Sequence, residues 1–157
     1  MKKLLFTLLF LTLGTAWGGV WEDGLAVYER EDYATAVRLW RPLAEQGDVR
    51  GQLILGGMYN SGQGVLQDYK EAVKWWRLSA EQGNRLAQAN LGLMYANGHG
   101  VLQDYARAHM WYNLASAGGS QFGTENRDII AKKMTPQQIE KAQEMAKACQ
   151  ARNFKGC

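Results

Sequence analysis

The chain has 157 residues, 18 basic and 15 acidic side chains, two histidines and two cysteines. A formal charge of +3 and 46% hydrophobic content fit one globular domain with a sizeable core. They exclude the concentrated basic face that nucleic-acid binding needs. His99 and His109 are remote from the cysteines and no Cys-x-x-Cys occurs, so no metal site is expected.

Residues 1–18 read as a secretory signal peptide. Met1-Lys2-Lys3 is a short basic region, Leu4 to Leu13 is apolar apart from Thr7 and Thr12, and Gly14-Thr15-Ala16-Trp17-Gly18 supplies small residues at cleavage spacing. Cleavage after Gly18 or after Ala16 both fit. The apolar run is shorter than the roughly 20 residues that span a bilayer, so no stable membrane insertion is expected after cleavage. The remaining chain is expected in the bacterial periplasm or outside the cell. Its charge is uneven: residues 19–123 hold nine basic and eleven acidic side chains, residues 124–157 seven and four.

Asp-Tyr then recurs at Asp32-Tyr33, Asp68-Tyr69 and Asp104-Tyr105, 36 residues apart each time. Gly62-Gln63-Gly64-Val65-Leu66-Gln67-Asp68-Tyr69 returns as Gly98-His99-Gly100-Val101-Leu102-Gln103-Asp104-Tyr105, and Leu55-Gly56-Gly57-Met58-Tyr59 returns as Leu91-Gly92-Leu93-Met94-Tyr95. A period of this length marks stacked two-helix units that bury a continuous core between neighbours. Residues 19–47 form an atypical first pair, because Tyr28 lies only four residues before Asp32. Residues 48–83 and 84–119 are full repeats, and residues 120–157 are a helical cap.

Within each full unit the first helix, over 51–59 or 87–95, is rich in small residues. The second, over 68–82 or 104–117, opens on Asp as N-cap. Apolar residues at 69, 72, 73, 76 and 80 form one buried stripe, with Lys70, Glu71, Lys74 and Arg77 outside it. The Gly-x-Gly pairs at 62/64 and 98/100 suit left-handed positions in the interhelix loop. They lack the strand and the Gly-Lys-Ser/Thr of a phosphate loop, and no cofactor is implied.

After Gly118-Gly119 the pattern fades: Asp128 stands where the repeat has Gly92. A helix over 124–133 with Ile129 and Ile130 as its apolar face is expected. A second follows Thr135-Pro136, with Ile139, Ala142, Met145, Ala146 and Cys149 in one stripe. This pair should close the open end of the stack. Cys149 and Cys157, in an exported chain, are expected to form a disulfide that pins the tail to the last helix.

No catalytic constellation stands out. Ser61, Ser79, Ser116 and Ser120 lack nucleophile contexts. His99 takes the loop position of Gln63, and His109 the helix position of Val73. Trp40, Trp75, Trp76 and Trp111 recur with the period and belong to the core, leaving Trp21 partly exposed. If a partner binds, the first helices of the units should present Gln52, Asn60, Gln88, Asn90 and Asn97.

The period, the Leu-Gly-x-Met-Tyr segment, the Gly-x-Gly-Val loop, the Asp-Tyr start and the Ala-x-x-Trp-Trp/Tyr run resemble the Sel-one-like repeat family, a relative of tetratricopeptide repeats. The resemblance covers about residues 23–119. It implies an all-α, right-handed superhelical solenoid and a non-catalytic scaffold or adaptor for a protein or peptide partner. Cysteine-rich secreted members are reported to bind β-lactams, which gives a weak cell-wall hydrolase or penicillin-binding activity as the alternative. The repeats here hold no cysteine.

Overall fold

Helices fill most of the chain. A computed structural model describes residues 19–157; the expected signal segment lies outside the described residues. The order is α1 (residues 19–29), α2 (Tyr33–Glu45), α3 (Val49–Ser61), α4 (Tyr69–Ala80), α5 (Arg85–Asn97), α6 (Tyr105–Ala117), α7 (Gln121–Ala131) and α8 (Pro136–Ala151). From α2 to α7 each helix packs on its neighbours in sequence. No strand occurs among the described residues. The expected all-α repeat solenoid is the fold found.

Caps set the helix boundaries. The Asp68 carboxylate accepts from the backbone N–H of Lys70 at 2.9 Å and of Glu71 at 3.1 Å, and Asp104 accepts from Arg107 at 2.9 Å. Such caps satisfy donors that have no partner inside the helix. Asp48 and Asn84 cap α3 and α5 in the same way. These two caps start both helices two residues earlier than the expected 51 and 87. Residues Ala72, Val73, Trp76 and Ala80 of the expected stripe are buried, with Tyr69 half-buried.

The recurrent motifs interlock between units. Gly64 packs against the backbone carbonyl of Tyr33, and Gly100 against that of Tyr69, so closely that a β-carbon at either glycine would collide with it. Both glycines also have φ of 71°, where an L side chain is strained. The Gly-x-Gly loop and the Asp-Tyr start are thus two sides of one contact between successive units. Arg41 and Arg77 strengthen the seams, donating to the Tyr59 and Tyr95 hydroxyls of the next unit at 2.7 Å each.

Inside each unit a ring sits over a glycine. Trp40 covers Gly24, Trp76 covers Gly56 and Tyr112 covers Gly92. The indoles donate back to the facing helix, Trp40 to the Trp21 carbonyl at 3.4 Å and Trp76 to the Leu53 carbonyl at 3.0 Å. Trp40, Trp75, Trp76 and Trp111 are all buried, as their recurrence predicts, and Trp21 is half-buried.

The two C-terminal helices both lie against the last repeat helix, but not packed on each other. α7 closes the stack on α6, but α8 packs on α6 rather than on α7. The glycine–ring pair is not repeated here, since Asp128 stands at the position of Gly92 and Ala148 at that of Tyr112. Ile130 is buried while Ile129 is 54% exposed, so the apolar face of α7 is narrower than expected. Thr135 and Gln138 form a capping box at the start of α8, and Ala142, Ala146 and Cys149 are buried. The Cys149–Cys157 disulfide is present, with Cα atoms 5.6 Å apart. The tail it closes reaches beyond α8: Phe154 lies against Gly83, and the Gly156 N–H donates to Glu81 Oε1 at 3.3 Å.

Candidate partner-binding face

The odd-numbered helices line a cleft of about 540 Å³. Leu25 comes from α1, Leu53, Ile54, Gly57, Met58 and Ser61 from α3, and Leu86 and Asn90 from α5; Trp40 and Trp76 form part of the floor. Leu25 and Leu86 stay 43% and 54% exposed. Helix spacing explains this. The stripe of each odd helix that meets its ring partner is buried through Gly24, Gly56 or Gly92, and the side chains one step around the helix remain uncovered. A smaller hollow of about 120 Å³ lies between α5 and α7, lined in part by Leu93, Asn97, Asn126, Ile129 and Lys133.

The five amides expected on this face divide into two groups. Gln52 and Gln88 are 4% and 2% exposed and are no part of an accessible surface. Gln52 donates to the Ala44 carbonyl at 3.1 Å and accepts from Gln82 at 2.8 Å; Gln88 donates to the Ala80 carbonyl at 3.3 Å. Each brackets the start of an odd helix to the end of the preceding even one. This correction follows from their place in the early turns of α3 and α5, where the previous helix ends. Asn90 lines the large cleft and Asn97 the small hollow. Asn60 is half-buried and lines neither cavity, its backbone carbonyl accepting from Gln67 at 2.7 Å. The side-chain amides of Asn60, Asn90 and Asn97 make no hydrogen bond among the described residues.

Sequence reasoning missed the apolar half of the face, above all Leu86. A leucine at the helix position that carries Arg50 one unit earlier was the available signal.

Burial pushes the Tyr112 phenol up to about 12, so it stays protonated. His109 is 3% exposed, its Nδ1 has no partner, and burial and then the Arg127 charge lower its pKa, against an opposing pull from Asp128. His99 lies in the loop and stacks on Tyr69 at 4.7 Å between ring centroids. The serine hydroxyls serve the backbone or a neighbouring hydroxyl: Ser61 donates to the Gly57 carbonyl, Ser79 to that of Val49, Ser120 caps α7, and Ser116 pairs with Thr124. Among the described residues no serine is paired with a histidine.

No helix among the described residues is long and apolar enough to cross a membrane.

Two solved structures share the architecture. The protective antigen c5321 of uropathogenic Escherichia coli, which displays an SLR fold, superposes with a TM-score of 0.79 at 34% identity over 88% of this chain. A Sel1 repeat protein from Oxalobacter formigenes superposes with a TM-score of 0.64 at 28% identity over 68% of this chain. The chain spans only 31% and 44% of the lengths of those proteins. No curated protein matches the sequence. The Sel1 repeat profile matches residues 16–48, 49–84 and 85–120. With that match running through all the stacked units that carry the cleft, the chain belongs to the Sel1 repeat family, whose repeats are protein–protein interaction modules.

Proposed function

We propose that this protein is an exported, non-catalytic scaffold or adaptor of the bacterial envelope that holds a protein or peptide partner on its odd-helix face. The observation that carries the reading is the cleft itself, which exposed Leu25 and Leu86 line together with Asn90, whose amide makes no hydrogen bond among the described residues. Apolar surface left open next to a few polar groups is the usual make-up of a binding site. Export draws support from the basic-then-apolar composition of residues 1–18 and from the Cys149–Cys157 disulfide, which suits an oxidising compartment. The partner is a protein or peptide and not a nucleic acid, because the cleft carries no cluster of cations.

Affinity capture from an envelope fraction tests this. Protein spanning residues 19–157 should retain a specific partner, and a Leu25→Asn/Leu86→Asn double variant of unchanged helicity should lose it. Equal capture by both proteins would overturn the assignment to this face. The hydrolase alternative has no supporting arrangement among the described residues, and saturable labelling by a fluorescent β-lactam would revive it.

A further inference from the structure

We infer that the cleft takes an extended peptide segment in which a bulky apolar side chain is accompanied by a basic residue on the α1 side. This rests on the preceding reading of the odd-helix face as the partner site and specifies the partner's chemistry.

The large cleft has the shape and lining for the apolar part. At about 540 Å³ it lies within the roughly 300–1,000 Å³ of ordinary ligand sites. Leu25, Leu53, Ile54, Met58 and Leu86 wall it on three successive odd helices. The polar groups recur along the same direction. Asn90 on α5 and Asn126 on α7 occupy the same register, 36 residues apart, and line the first cleft and the second hollow. Asn126 is held by its own helix, its amide donating to the Phe122 carbonyl at 2.9 Å, so Asn90 is the one of the two without a hydrogen bond among the described residues. The lining of the cleft spreads over three successive odd helices, which an extended segment follows better than a compact molecule does.

The charge comes from α1. Glu22 and Glu29 stand three residues before and four after Leu25, which places all three on one helix face. Both carboxylates are exposed and neither forms an ion pair among the described residues. Residues 19–32 hold five carboxylates, Glu22, Asp23, Glu29, Glu31 and Asp32, against the single cation Arg30. The nearest cation on α3, Arg50, is engaged with Asp48 at 3.2 Å and lies over the Trp21 ring at 4.3 Å. At the other end of the face Lys133 lines the small hollow. A basic residue is therefore attracted at the α1 end of the cleft, which orients the bound segment.

The test uses fluorescent peptides with a central Leu-Trp-Leu and two residues at one end that are lysine, glutamine or glutamate. Protein spanning residues 19–157 should bind the lysine peptide roughly five- to tenfold more tightly than the glutamate peptide at low salt. The preference should shrink as salt rises. Glu22→Gln/Glu29→Gln should abolish the preference and retain the glutamine peptide. Leu25→Asn/Leu86→Asn, which adds no charge, should weaken all three. If the three peptides bind alike, yet remain sensitive to the leucine variant, the basic-residue inference fails and the cleft reading stands. A preference for glutamate has the same consequence. If no peptide binds, or the leucine variant binds like the parent, both readings fall.

Discussion

Trp76 lies directly over Gly56, and its indole Nε1 donates to the Leu53 carbonyl one turn away at 3.0 Å. The pair joins α3 to α4 without any side chain between them, and Gly24 with Trp40 repeats the arrangement in the first unit. Gly56→Ala therefore forces a methyl group into the Trp76 ring. Overpacking of this kind costs about 1–3 kcal/mol. Gly57 next to it has nothing within 4 Å of its would-be β-carbon, so Gly57→Ala should stabilise α3 by about 0.5–1 kcal/mol. Urea unfolding of the two variants should move the midpoint in opposite directions.

The buried amide of Gln88 gives a second prediction. Gln88→Ala removes the donor to the Ala80 carbonyl and leaves a space between α4 and α5. A loss of about 1–3 kcal/mol is expected in chemical denaturation. Because Gln88 lies behind the odd-helix face, peptide affinity should stay unchanged under conditions where the variant is folded. A large affinity loss in the folded variant would show that Gln88 is reached by the partner after all.

His109 predicts a dependence on pH. Its folded pKa lies below the ordinary 6.5, so the unfolded chain takes up the proton first as pH falls. Stability is full above that value and is lost as pH falls from 6.5 through the folded value. His109→Val, which installs the residue found at position 73, should flatten the fall in Tm between about pH 7 and pH 5. An unchanged slope in the variant would assign the acid sensitivity elsewhere.

The Cys149–Cys157 bridge closes a short loop that carries Phe154 onto Gly83. Reduction should cost about 2–3 kcal/mol of stability, judged from loop-closure entropy. Hydrogen exchange should quicken first in residues 150–157 and next at the end of α8, with α3 and α5 unaffected. Early exchange in α3 would mean that the bridge supports the whole stack.

Much of the fold was legible because it is local and repeated. Asp68 and Asp104 announce their helices by capping chemistry, and the stripe Ala72, Val73, Trp76 and Ala80 shows its buried face by spacing alone. Gln52 and Gln88 were misread as surface because amides at helical positions look alike in sequence. Only the end of the preceding helix, packed over them, makes them interior. Ile129 and Ile130 were equally apolar in sequence, yet one is open to solvent and the other buried, because α8 packs on α6 and not on α7.

The sequence by itself determined the period, the helix pairs, the capping residues, the tryptophan core and the cysteine pair, since each depends on neighbours a few residues away or on exact recurrence. The tertiary structure decided the rest. It brought Leu25 of α1 to one cleft with Leu86 of α5, laid α8 on α6, and set Phe154 against Gly83. Those contacts join residues far apart in the chain, and no periodic pattern encodes which face of a helix its distant neighbours will leave uncovered.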